Sequence, residues 1–201
     1  DAPEQAGNYY AWGEIDTKSS YTVENSLTYD NATYNFDIAG NPLLDAATAA
    51  WGEQWRMPTL EQWTELVDEA QWISVRINGT AGFQITGQNG NSLFLPAVGT
   101  MEHEQLTLST RAYYFSSSPD AGDVVSAYCM DAAGITSKRV RLLNRWYGLA
   151  VRPVVAPRDD QPTNLSNLQV EAEQPQKVLR NGLLYILRGN EVYDITGRKL
   201  Q

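Results

Sequence analysis

The chain has 201 residues and a net charge of −9, with 42% hydrophobic and 19% charged side chains. That length fits one generous domain, or one domain with an appendage, and the composition excludes a disordered chain. The acidic balance disfavours nucleic acid and anionic membranes as partners, and no apolar stretch approaches the roughly 20 residues of a membrane helix.

The charge is unevenly placed. Residues 1–70 carry 13 acidic and 2 basic side chains, residues 71–157 carry 5 and 7, and the rest carry 6 and 6. The start, Asp1-Ala2-Pro3, is expected to be processed or trimmed. Residues 1–42 are rich in Tyr, Asn, Asp, Ser and Thr. They predict a strand near Tyr9–Trp12 and then a long irregular excursion, with Tyr21, Tyr29, Tyr34 and Phe36 available to pin it. An Ala-rich helix is expected over Leu44–Trp51, stopped by Gly52. A second helix is announced by Thr59 as N-cap with Gln62 three residues on, a capping box, and by Pro58 before it. Leu60, Trp63, Leu66, Val67 and Ala70 give it one buried stripe.

Beyond Gln71 the period changes to two. Short strands are predicted at Trp72–Ile77, Gly82–Thr86, Ser92–Leu95, Tyr113–Ser116, Val124–Met130, Ser137–Leu143 and Gly148–Val154, with Met101–Thr110 left as a loop. Two helices followed by an antiparallel sheet with long loops make an α+β domain over residues 1–157. A Pro-, Asp-, Gln- and Asn-rich linker follows over 158–176. The tail, 177–201, holds apolar strands at Leu183–Leu187 and Glu191–Ile195 around Arg188-Gly189-Asn190, a β-hairpin signal. A lone hairpin is marginal in water and needs a packing partner.

Candidate chemistry is sparse. Cys129, in an apolar run, is expected to be a buried core thiol. The lone His103 sits in a polar loop, and no Ser lies in a Gly-x-Ser-x-Gly elbow, so a hydrolytic triad is unsupported. One His and one Cys do not furnish a zinc site, and phosphate-cradling glycine loops are missing. Neither a cofactor nor a metal is expected. The basic residues Lys138, Arg139, Arg141 and Arg145 are expected to complement the acidic first half or to line a solvated strand edge. Aromatic recognition of a glycan or a peptide needs no metal. Trp12, Trp51, Trp55 and Trp63 adjoin helix and turn signals and are assigned to the core. The candidates for a ligand surface are Tyr21, Tyr29 and Tyr34, the loop around His103, and above all Arg145-Trp146-Tyr147, side chains enriched at binding hot spots.

The aromatics gather in Gly- and Pro-punctuated phrases. These are Tyr10-Ala11-Trp12-Gly13-Glu14, the segment from Trp51-Gly52 through Trp55-Arg56 to Pro58-Thr59, Phe94-Leu95-Pro96-Ala97-Val98-Gly99, Tyr113 to Ser118, and Gly148 to Val154. With Asp45-Ala46-Ala47 and Gly90-Asn91-Ser92, their order resembles the FISUMP family, the major paralogous domain of Fibrobacter-type bacteria, over roughly residues 8–155. The resemblance implies a C-type-lectin-like fold. It also implies an exported or outer-surface bacterial protein, without fixing an activity; the expected function is a non-catalytic lectin-like module that binds a glycan or a protein, or alternatively a structural module of a larger surface protein. Formylglycine-generating enzymes share that fold type, but they depend on a pair of cysteines and this chain has one. Gln161-Pro162-Thr163 is the nearest string to a lectin calcium motif and lacks the carboxylate. The end, Val192 to Lys199, resembles part of a C-terminal sorting segment, which implies a possible contact with secretion machinery; a hairpin that completes a sheet competes with that reading.

Overall fold

The computed structural model describes residues 2–155, together with the backbone of residues 176–180, 183–188, 191–194 and 199–200. The chain divides into a first unit ending at Arg158 and a second from Asp159 to Gln201. The expected linker, 158–176, lies outside the described residues except for Gln176, as does Gln161-Pro162-Thr163.

The first unit opens with β1 (Tyr9–Tyr10) and a long excursion that contains only a single 3-10 turn, Ala32–Tyr34. Next come α1 (Ala46–Trp51), β2 (Trp55–Arg56) and α2 (Leu60–Glu69). The remainder is strand: β3 (Gln71–Ile77), β4 (Thr80–Thr86), β5 (Ser92–Pro96), β6 (Thr100–Glu102), β7 (Gln105–Thr107), β8 (Ala112–Asp120), β9 (Asp123–Gly134), β10 (Ser137–Asn144), β11 (Leu149–Ala150) and β12 (Val154–Val155). The α+β reading holds, with two α-helices and several antiparallel sheets. The predicted last strand is divided into β11 and β12, and Met101–Thr110 contains the β6–β7 hairpin rather than only a loop.

Both helices are set by their caps. Thr59 accepts from the Gln62 backbone N–H, and the Gln62 side chain accepts from the Thr59 N–H, so the predicted capping box is complete. Asp45 does more than cap α1. Its fully buried carboxylate accepts from the backbone N–H groups of Ala47 and Thr48 on one oxygen and of Gly40 and Met57 on the other. Four charge-assisted bonds thus tie the helix start to the end of the excursion and to the strand after it.

The central sheet runs β1-β11-β8-β9-β10, all antiparallel except for the parallel β11–β8 pair. Its β8 is buried on both faces, which sends alternate side chains into two cores. Tyr114, Met130, Ala132 and Ala150 join Trp63 and Val67 of α2 and Trp72, Phe83, Ile85 and Leu95 of the three-stranded β3-β4-β5 sheet. Tyr113, Phe115, Ala127, Cys129 and Leu149 face the other way, onto Trp12, Ile38, Leu44, Ala47 and Met57. The long excursion is therefore one wall of the second core.

Of the expected pins, Tyr21 is buried, Tyr34 packs half-buried on the second core, and Phe36 is exposed. Hydrogen bonds do the remaining fastening: Thr28 Oγ1 donates to Trp12 O (2.6 Å) and Leu27 N donates to Glu14 Oε1 (2.9 Å). The basic run lies mainly on the edge strand β10. Arg139 and Arg141 pair with buried Asp131 at 3.5 and 3.6 Å, so they complement an acid of the neighbouring strand rather than the acidic first half.

In the second unit the backbone forms β13 (Gln176–Arg180), β14 (Leu183–Arg188), β15 (Glu191–Asp194) and β16 (Lys199–Leu200), paired consecutively and antiparallel. The expected hairpin is thus the middle of a four-stranded sheet. The end strand β16 has two residues, too few to show a period in sequence. The turn residues Gly189 and Asn190 lie outside the described residues.

Cys129 is buried, as expected, and burial pushes its thiol from an ordinary 9.0 up to about 12. The native chain should therefore resist a disulfide thiol reagent at pH 8 and release one equivalent once unfolded in urea, read as absorbance against time. The folded form also keeps a proton that the unfolded form releases above pH 9. This group's contribution to stability is therefore whole below pH 9 and is lost as pH rises towards 12.

Candidate functional site

Four of the predicted ligand-surface residues come together at the β6–β7 hairpin. Glu102 pairs with Gln105, leaving His103-Glu104 as the turn, and His103 takes a positive φ of 52°. Tyr21 and His103 exchange backbone hydrogen bonds of 2.8 and 2.9 Å, and Met101 does the same with Gly148. The hairpin is thereby stitched to the excursion on one side and to the β10–β11 connection on the other. The His103 ring lies 6.0 Å from that of Trp146, which stacks on Tyr147 at 4.0 Å and 20°. His103 is exposed, whereas Trp146 and Tyr147 are half-buried. Burial raises the Tyr147 hydroxyl pKa, and Glu102 adds to the rise against a lowering by Arg141.

Two of the predicted residues do not belong to a surface. Tyr21 is 2% exposed: its hydroxyl donates to Tyr9 O (2.5 Å), and its ring sits so close to Gly148 that a Cβ there would meet it at 2.8 Å. Arg145 is completely buried. Its Nε donates to Ser126 O (3.0 Å), Nη1 to Thr28 O (3.3 Å) and Nη2 to Asn35 Oδ1 (2.6 Å), and the guanidinium lies 4.4 Å from the Trp12 ring centroid. A planar fork that finds three acceptors and an aromatic face is held inside the fold. Desolvation lowers its pKa, Asp123 and Asp120 oppose this, and a guanidinium stays protonated at neutral pH. Tyr29 and Tyr34 are half-buried in the excursion, and no aromatic pair links either to the His103–Trp146–Tyr147 stack.

A second arrangement was not legible in the chain. A cleft of about 530 Å³ opens between the N-terminal residues, the end of α1, β2 and the stretch between β11 and β12. Tyr10, Trp51, Trp55, Gln5, Asn8 and Arg152 line it. Tyr10 is there because β1 alternates: Tyr9 turns inward, its hydroxyl donating to Val98 O (2.6 Å), and Tyr10 points the other way. Trp55 is brought alongside by the pairing of β2 with β12, where Trp55 opposes Val155 and Arg56 opposes Val154.

Trp51 and Trp55 are thus corrected from core to surface: Trp51 is 50% exposed and Trp55 partly so. The helix-end signal at Gly52 located Trp51 well. A helix end, however, is where the chain leaves the core, and only Ala46, Ala47 and Thr48 of α1 are buried. Hydrogen bonding separates the two kinds of tryptophan. Trp12, Trp63 and Trp72 each donate the indole N–H to a backbone carbonyl, of Ser116, Phe115 and Leu66 respectively. Those are satisfied core positions. The cleft volume falls in the usual range for small-ligand sites, and its lining has the usual character, aromatic walls with a few polar groups.

Among the described residues no group of three or more His, Cys, Asp or Glu is positioned to hold a metal ion, and no helix is long and apolar enough to cross a membrane. The chain matches no family model, no curated protein and no solved structure.

Removing the Arg145 fork strands two buried carbonyls and one amide oxygen. Arg145→Met should lower unfolding stability by about 3 kcal/mol in urea titration, and Arg145→Lys should recover only part of it because an ammonium does not reproduce the fork. A loss below about 1 kcal/mol would show that the buried network is dispensable.

Proposed function

We propose that the first unit is a non-catalytic recognition module, lectin-like in character, that binds a glycan or a protein outside a bacterial cell or on its outer surface. The observation that carries this reading is the half-exposed Trp51 beside Trp55 and Tyr10 in one cleft. Large aromatic faces left open next to polar side chains suit ligands that are flat and apolar on one side and hydroxylated at the rim. The ordered aromatic phrases support membership of the FISUMP family, and two helices set against looped antiparallel sheets support a C-type-lectin-like arrangement. The stacked Trp146–Tyr147 pair, with His103 of the β6–β7 turn beside it, is available as an accessory contact. Neither metal nor cofactor is needed for recognition of this kind.

A glycan and extracellular-matrix array probed with the full chain should give a signal that Trp51→Ala removes. Because Trp51 is half exposed, that substitution should cost the fold no more than about 1 kcal/mol, so a retained melting temperature separates loss of binding from loss of folding. Silence across the array would defeat the reading.

The second reading, a structural module with a docking or sorting tail, is favoured by one observation: the tail pairs its four strands consecutively as a sheet of its own. In this reading the tail engages secretion machinery. A chain ending at Ala156 should then accumulate inside the producing cell; normal export, scored by blotting the culture medium, would rule out sorting.

A further inference from the structure

Among the described residues Arg152 is the only charged one lining the cleft, in a chain whose net charge is −9. Of the other arginines described in the first unit, all but Arg56 are engaged, and Arg56 does not line the cleft. Arg111, Arg139 and Arg141 pair with Asp131, Arg145 is held by its three acceptors, and Arg76 donates to Gly79 O in the β3–β4 turn. Arg152 enters no ion pair with a described residue. The acid of the N-terminal wall, Glu4, is committed elsewhere, since its carboxylate accepts from Asn78 Nδ2 (2.6 Å). A guanidinium with no ion-pair partner among the described residues, beside three partly open aromatics, is set up for a ligand with both an anionic group and an apolar face.

We infer that the cleft takes a sugar bearing a carboxylate, a hexuronate unit of an acidic polysaccharide. This rests on the cleft being the ligand site. The carboxylate meets Arg152, whose planar fork matches it in a bidentate fashion. The C–H face of the pyranose lies against Trp51 and Trp55, and the hydroxyls find the amides of Gln5 and Asn8. A peptide fits less well. The strands bordering the cleft, β1, β2 and β12, are two residues each, too short a free edge for an added peptide strand. Recognition therefore falls to side chains.

The test is calorimetric titration of the full chain with trigalacturonate, trimannuronate and a glucuronate-containing trisaccharide, each beside its methyl ester. Esterification keeps the ring and removes the charge. At least one acid should bind, its ester about tenfold or more weaker. Arg152→Gln should lose the same factor for the acid and nothing for the ester, with binding of the acid falling as salt rises. Equal affinity for acid and ester, or an acid affinity untouched by Arg152→Gln, overturns the carboxylate assignment. So does tighter binding of an Asp- and Glu-rich peptide than of any uronate. If neutral sugars or a matrix protein bind in a Trp51-dependent way while no uronate does, the carboxylate assignment falls and the recognition reading stands. Failure of every ligand overturns both.

Discussion

One buried cation fastens the long excursion to the central sheet. Arg145 ties Thr28 and Asn35 of the excursion to Ser126 of β9 and rests on Trp12. Its backbone carries the same junction, with Trp12 N donating to Arg145 O (2.9 Å) and Arg145 N to Val125 O (2.9 Å). A segment of more than thirty residues with almost no regular structure would ordinarily leave its polar groups to water. Here it is converted into a wall of the second core. The cost of desolvating the guanidinium is offset only because every branch of the fork finds an acceptor.

Asp45 is the complementary device on the same side. Two oxygens serving four backbone N–H groups hold Gly40, the start of α1 and Met57 at one point. Asp45 holds the start of α1 against Met57, and Thr48 Oγ1 donates to Trp55 O (2.8 Å), so α1 and β2, with Trp51 and Trp55, are tied together. The cleft tryptophans differ from Trp12, Trp63 and Trp72, whose indole N–H groups are satisfied inside.

Local signals were legible wherever a single residue type serves a single backbone need. Thr59 and Gln62 announced α2 because a capping box is a contact between near neighbours, and the stripe Trp63–Val67 followed from the helical period. The strands from Gln71 onward showed their period of two, and Cys129 lay in an apolar run and is buried. The β6–β7 hairpin was hidden by its polar, three-residue strands, and β16 by its brevity. Arg145, Trp146 and Tyr147 are adjacent in sequence, and their types suggested one hot spot. The fold sends the first into the core and leaves the other two near His103.

The chain by itself determined the α+β class, the caps and the strand periods, because these depend on neighbours in sequence. Which aromatics are scaffold and which face a cleft was decided only by the tertiary structure. Burial of a Trp or an Arg depends on what a distant segment brings to its other side. For Arg145 that segment is the excursion, 117 residues away at Thr28, and for Trp51 no described segment closes over its outer face.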